Sequence, residues 1–457
     1  MTFQRRYRLW ARAAWNAQAI SHDRHATDRR HVPRTARVAR LFAGTSPYSR
    51  SLPHPFTGTR IMDAPKLTPQ DTRTLTAYLQ NTDGLRRDAE ACGISPAYCD
   101  LIERAADELL RRPDRLADLS RCSAALFGAD AWRSTDWKDT PRDDTLGERF
   151  FMIFPLLQQL PVLRSWYAEH AIPAHVLTDT LADFQIWIET IAQRTGRPGF
   201  HEAGWMREHL YGRVIRLGRL QFQPATYGAA FRPLVHRRSG EIRLVACGGR
   251  SITSSGVFSD SEGAQGPFID LVWNEVDGSV REAHIVQPNG HIATTPTRFD
   301  PHDWEQALAP GDAILALHIP AGAPLDFNAC RDSFQQAAAF YPSHFPNAPV
   351  PRAVTCGSWL FYPGLCDILP VESNIVRFQR AFLRFPSPGA TANQTYERAF
   401  MPHGRAIKPD QLASSLQHRL YAHIQEGHTP IVGGGMILAP LANWGENPAI
   451  RRTVTPD

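Results

Sequence analysis

Residues 311–346 read GDAILALHIPAGAPLDFNACRDSFQQAAAFYPSHFP. An apolar run from Ile314 to Ile319 meets a small-residue loop, Pro320 to Asp326, and a segment of helical pattern follows. The spacing predicts a strand over 313–319, a loop over 320–326 and a helix over 327–341 with Asp326 as its N-cap. Such a unit aims backbone N–H groups and a helix N-terminus at one point, where a phosphate can sit. The same unit can also serve only to turn a corner.

Upstream, the pattern is helical from Thr68 to about Arg197. Thr68-Pro69-Gln70-Asp71 predicts an N-cap, a proline at the first helical position and an acid in the first turn. Ser95-Pro96 repeats the start signal, and further helices are expected at 116–127, 146–159 and 174–195. Near Gly218 the texture changes to alternation. FRPLVHRRSGEIRLVACGG predicts a hairpin turning at Arg238-Ser239-Gly240, and strands at 267–276 and 281–294 flank a turn at Asp277-Gly278. After the quoted unit come a strand (353–361), a short helix (364–369), the segment SNIVRFQRAFLRF, a capped helix within 408–427 and the glycine run Gly433–Gly435. The expected fold class is α/β (α+β): a helical N-terminal domain over 62–200, a mixed-sheet domain with one central sheet over 201–385, and a C-terminal extension with one helix over 386–457.

Composition narrows the function classes. Apolar residues make up 43% and charged residues 21% of 457 residues, a soluble globular profile, and no stretch approaches a membrane span. The net charge of +5 misleads, because residues 1–61 are arginine-rich, lack lysine and hold only Asp23 and Asp28 as acids. The body is mildly acidic, which gives no reason to expect nucleic-acid binding. Residues 1–61 read as a disordered basic arm, a targeting segment or a translated upstream region, with Met62 as the initiator. Seven irregularly spaced cysteines contain no metal-ligand pattern, so no metal is expected, and free thiols fit a reducing cytoplasm. Gly433–Gly435 lacks the spacing of a P-loop, and G-x-S-x-G is absent.

Four phrases together resemble a bacterial acyltransferase-like family that pairs a helical N-acyltransferase N-terminal domain with a GNAT-like C-terminal domain. They are LADFQIWIETIAQRTG (181–196), GWMREHLYGRVIRLGRLQFQ (204–223), LALHIPAGAPLDFNACRDSFQQAAAFYPSHFP (315–346) and GSWLFYPGLCDILPVESNIVRFQRAF (357–382). The resemblance spans roughly residues 70–430. It implies acyl-CoA-dependent transfer to an amine of a small molecule or peptide, with acetyl-CoA or another acyl-CoA as cosubstrate. The alternative is a non-catalytic GNAT-like module that binds a ligand or a partner.

By the same resemblance, strand 313–319 holds pantetheine through its backbone at Leu317 and Ile319, and the loop and helix N-terminus hold the pyrophosphate. The usual loop pattern, Q/R-x-x-G-x-G/A, is reduced here to Gly322 followed by Ala323. Pro320 and Pro324 remove two donors, and the Asp326 carboxylate opposes a phosphate while Arg331 offsets it. Asn374 and Phe378 fall where the family's fourth helix contacts the pantetheine arm. Transfer from a thioester to an amine needs a base and an acid; His318 lies where the base sits, and Tyr362 is the candidate acid. Cys330 as a covalent nucleophile lacks an adjacent base.

Read from spacing alone, Arg213, Arg216 and Arg219 step by three and are expected to line one helix face. Arg216 and Arg219, with Trp359, are the candidate substrate contacts; pairing of the arginines with Glu202 or Glu208 is the competing role. Glu202, Trp205 and His209 fall at the domain junction, a common place for ligand clefts.

Overall fold

The computed structural model describes residues 62–128, 142–228, 230–401 and 403–445. The expectations for residues 1–61 lie outside the described residues. Helices Thr72–Gln80, Thr82–Ala91, Pro96–Leu110, Pro113–Phe127, Leu146–Phe150, Phe154–Leu157, Leu160–Glu169, Ala174–Leu181, Asp183–Thr195 and Ala203–Leu210 build the described N-terminal part. Helix Pro96–Leu110 illustrates why they pack. Cys99, Ile102, Ala105, Ala106 and Leu109 recur at helical spacing and are all buried. Inside this bundle Arg115 donates from Nε and Nη2 to the two carboxylate oxygens of Glu148, at 2.8 and 2.9 Å.

The first helix starts later than the sequence suggests. Its N-cap is Asp71, which accepts from the Thr74 N–H. The Thr68 N–H instead donates to Gln159 and the Gln70 N–H to Ser123, so 68–70 stay extended across neighbouring helices.

The C-terminal part is built on a six-stranded sheet. Its strands are β1 (Ile215–Leu217), β2 (Leu220–Thr226), β11 (Ala313–His318), β12 (Ala353–Ser358), β13 (Leu383–Pro386) and β14 (Gly433–Leu438), in the order β1-β2-β11-β12-β14-β13. Among the described strands of this sheet, only β11 and β12 pair in parallel. The glycine run is thus the start of an interior strand, within the stretch read as a C-terminal extension. Two of its glycines, Gly434 and Gly435, leave room for neighbouring rings. A Cβ at Gly434 would lie 2.1 Å from the Phe385 ring, and one at Gly435 would lie 2.4 Å from the Phe361 ring.

The expectation of one central sheet is corrected. Between β2 and β11 the chain forms β3 (Phe231–His236), β4 (Ile242–Ala246), β5 (Ser251–Thr253), β6 (Phe268–Asp270), β7 (Trp273–Val276), β8 (Ser279–Ile285), β9 (Thr297–Arg298) and β10 (Trp304–Gln306). These make a second sheet, β10-β3-β4-β8-β7 with β9 beside β8, and a β5-β6 pair. Strand alternation is local, whereas the choice of sheet depends on partners far along the chain. Helix Phe327–His344 then crosses from β11 to β12, and its Tyr341 hydroxyl donates to the Phe222 carbonyl of β2. One continuous core joins the helices to the main sheet, from Leu75 through Phe222 and Leu317 to Trp444.

Candidate active site

The parallel pair opens. β11 keeps register with β2 along its whole length, from Ala313 opposite Thr226 to His318 opposite Gln221. β12 does the same with β14, from Ala353 opposite Leu438 to Ser358 opposite Gly433. Between β11 and β12, however, only Leu315–Val354 and Ala316–Thr355 are in register. Beyond Ala316 and Thr355 the facing edges part. Backbone polar groups on such edges need partners, and an extended chain carrying amides can supply them.

Side chains anchor both arms of the opening. On the β12 side, Gln379 Nε2 donates to the carbonyls of Leu360 and Tyr362, at 2.6 and 3.0 Å, and draws the chain into the turn Trp359–Phe361. On the β11 side, Arg219 holds the loop. Its Nη1 donates to the Pro320 carbonyl at 2.8 Å, Nη2 to Ala323 at 2.8 Å and Nε to Pro324 at 2.9 Å. Ser333 Oγ in turn accepts from the Arg219 backbone N–H.

The loop's carbonyls are therefore turned inward onto a buried cation. Among the described residues, none accepts from the amides of Ala321, Gly322 or Ala323, and these three residues are exposed. Gly322 has φ +89°, which a residue with a Cβ adopts only with strain. Asp326 caps helix Phe327–His344 by accepting from Ala329 N–H at 2.8 Å, as its position predicts. Arg331 lies 5.8 Å from the Phe327 ring, and Arg377 stands over the same ring at 4.5 Å. Arg377 is not singled out by the sequence NIVRFQRAF, because nothing local links it to Phe327.

The expectation that three arginines share a helix face is corrected. The helix ends at Leu210, Gly212 (φ +65°) turns the chain, and Gly218 (φ +65°) turns it again between β1 and β2. Arg213 pairs with Glu208 at 3.0 Å. Arg216 Nε donates to the Gly218 carbonyl. All three nitrogens of the Arg219 guanidinium are spent on the loop, so it organises the site from behind instead of facing a substrate. Burial holds its pKa below the ordinary arginine value.

His318 ends β11 at the junction with the helices. Its Nε2 is 2.8 Å from Gln223 Oε1, which fits Nε2 as the N–H donor and leaves Nδ1 a free lone pair. The Trp205 ring meets His318 edge-on at 4.8 Å and His209 edge-on at 5.0 Å. Trp205 Nε1 donates to Asp183 Oδ2 at 2.9 Å, and His209 Nε2 lies 3.2 Å from the same oxygen. Burial pushes the His318 pKa down to about 4, with the neighbouring His209 adding to the effect. Burial alone would raise the Asp183 carboxyl; His209, with Gln221 and Trp205, outweighs it and holds the group below its ordinary value. Trp205 and His209 are legible in the sequence as domain-junction residues, but Asp183, Gln221 and Gln223 join them only through the fold.

Other candidates sit elsewhere. Tyr362 bonds through Oη to His423 Nε2 at 2.9 Å, in a cluster with Leu365, Phe400 and Leu420, and burial raises its pKa to about 12. Trp359 packs against that same cluster. Neither Tyr362 nor Trp359 has a hydrogen bond or ring contact to His318 among those of the described residues. Phe378 is wholly enclosed by Phe361, Phe382 and Trp444, so its ring is core; Asn374 is exposed at the start of its helix. Leu317 buries its side chain in the core and Ile319 packs partly against it, which leaves their backbone as the contact. Cys330 is buried, and its thiol is pushed up to about 12, away from nucleophilic use.

An N-acyltransferase N-terminal domain matches residues 65–212, and a GNAT-like C-terminal domain matches residues 214–437. The chain belongs to the acyltransferase family that joins these two domains. No curated protein matches it. Among solved structures, it is similar to an acyltransferase in complex with decanoyl-CoA, at 19% identity and TM-score 0.54 over 81% of this chain and 100% of that one. A similar acyltransferase in complex with CoA and 10C-teicoplanin gives 20% identity and TM-score 0.53, with the same coverage. At such identities the likeness speaks for the fold.

Proposed function

We propose that this family member is an acyl-CoA-dependent N-acyltransferase that moves an acyl group from a CoA thioester to the amine of a small molecule or peptide. The observation that carries this is the loss of pairing between β11 and β12 beyond Ala316 and Thr355, at the end of β11 that leads into a loop whose carbonyls are held by Arg219. Pantetheine, an extended chain with two amides, fits the freed edge at Leu317–Ile319. The pyrophosphate fits the amides of Ala321, Gly322 and Ala323 beside the helix N-terminus, with Arg331 and Arg377 close by. The similar structures were solved with decanoyl-CoA, CoA and teicoplanin, which supports a long acyl chain and a small-molecule acceptor here.

The amine nitrogen attacks the thioester carbonyl, the C–S bond breaks, and the amide forms. His318 Nδ1, unprotonated at neutral pH, takes the proton the nitrogen sheds. The departing thiolate takes a proton from the imidazolium or from water. Gln223 and Trp205 fix the ring, and the Asp183–His209 pair contacts the same Trp205. Tyr362 is not needed for this step, and its hydroxyl is engaged by His423. The seven unpaired cysteines and the lack, among the described residues, of a helix long and apolar enough to cross a membrane support a cytoplasmic place of action.

A single-turnover reaction with decanoyl-CoA and a panel of amines, read by mass spectrometry, tests the reading. The expected result is acyl-amine product with no acylated protein. An acylated Cys330 contradicts direct transfer, and bound CoA without turnover on any amine returns the chain to a binding module.

A further inference from the structure

The C-terminal end of helix Ser415–Gln425 gathers three metal-competent side chains outside the proposed transfer site. His423 is in its last turn, Glu426 is the C-cap residue, and Gly427 (φ +94°) reverses the chain so that His428 returns. The His428 N–H donates to the His423 carbonyl at 3.3 Å, which fixes the reversal. One nitrogen or oxygen from each of His423, Glu426 and His428 lies within 4.8 Å of the other two.

The surroundings select which atom of His423 is available. Its Nε2 faces the Tyr362 hydroxyl at 2.9 Å, and its Nδ1 faces Glu426 Oε2 at 3.9 Å. The second distance is too long for a hydrogen bond and suits two donors sharing one ion, which sit roughly 3.3 Å apart in a tetrahedral site with bonds of about 2.0–2.1 Å. With Nε2–H donating to Tyr362 Oη, the Nδ1 lone pair is directed at that shared point. A ring N–H given to a protein oxygen is the usual support of a ligating histidine. The negative end of the helix dipole also favours a cation at this terminus.

We propose that His423 Nδ1, the Glu426 carboxylate and a His428 ring nitrogen bind one divalent transition-metal ion of the zinc class, with water as fourth ligand and Tyr362 as positioning residue. The two rings now stack with centroids 3.9 Å apart and planes 8° from parallel. A ring nitrogen donates in its own plane, so parallel rings do not converge on one ion. Binding therefore turns the exposed His428 ring out of the stack while the buried His423 ring stays. The site ties the C-terminal helix to the chain just beyond β12, through Tyr362.

The test uses the untagged full chain stripped with chelator. It is titrated with zinc by calorimetry and with cobalt(II) by visible absorption. The expected result is one ion per chain with tetrahedral cobalt bands. His428→Ala and Glu426→Gln each weaken binding at least about tenfold, and Tyr362→Phe weakens it about 10–100-fold. The two former residues are exposed, so their variants keep the test valid if changing His423 impairs folding. Absence of saturable binding overturns the proposal, as does binding that His428→Ala and Glu426→Gln leave unchanged.

Discussion

Arg219 Nη2 donates to the Ala323 carbonyl at 2.8 Å across 104 residues of chain, and two more bonds from the same guanidinium fix Pro320 and Pro324. A loop with one glycine and two prolines thereby presents amides that its sequence does not advertise. Hydrogen bonds from a charged donor contribute about 1.5–3 kcal/mol each, partly recovered by water at an exposed loop. Arg219→Ala is expected to cost on the order of 2–4 kcal/mol in urea unfolding. Arg219→Lys recovers less than half, because one ammonium cannot serve three carbonyls. A lysine variant as stable as the parent would show that the guanidinium fork does not hold the loop.

Gly322→Ala probes the loop from its outer side. The φ of +89° strains any side chain, while the nearest atom to a Cβ there is Ile186 Cγ1 at 3.8 Å, so the variant folds. The expected cost in stability is about 1 kcal/mol. CoA affinity, measured by calorimetry, falls by a larger factor than that strain alone explains.

His318 makes a pH prediction. Its folded pKa of about 4 lies below its ordinary 6.5, so between these values the unfolded chain binds a proton that the folded chain does not. Its contribution is complete above pH 6.5 and is lost as pH falls toward 4. Urea midpoints followed from about pH 7 to about pH 4 should decline less steeply in His318→Asn than in the parent. Identical slopes would assign the decline to other groups.

In the helical part, Glu148→Gln leaves Arg115 buried without its carboxylate. Arg115 is 1% exposed and Glu148 2% exposed. The expected loss is about 3–5 kcal/mol by chemical denaturation. A loss below about 1 kcal/mol would mean that Asp118, which also accepts from Arg115 at 2.7 Å, suffices alone.

These residues also mark what the sequence discloses. The strand, the loop and the Asp326 cap depend on neighbours a few positions away, and all three are legible. The arginine stripe does not form, and the sequence holds a signal against it. Gly212 and Gly218 bracket Arg213 and Arg216, and two glycines six apart interrupt a helix of that length. The role of Arg219 was not legible, since its partners lie 101 to 105 residues away. The same holds for Gln223 beside His318, which is placed by strand register. Phe378 looked like a ligand contact because an aromatic at helical spacing reads alike in a core and in a site.

Calorimetry of the full chain with decanoyl-CoA tests the central claim most directly. The account predicts one site that saturates well below millimolar, weakened at least about tenfold, or 1.4 kcal/mol, by Arg219→Ala. Absence of binding at sub-millimolar ligand, or binding indifferent to both Arg219→Ala and Gly322→Ala, would contradict it.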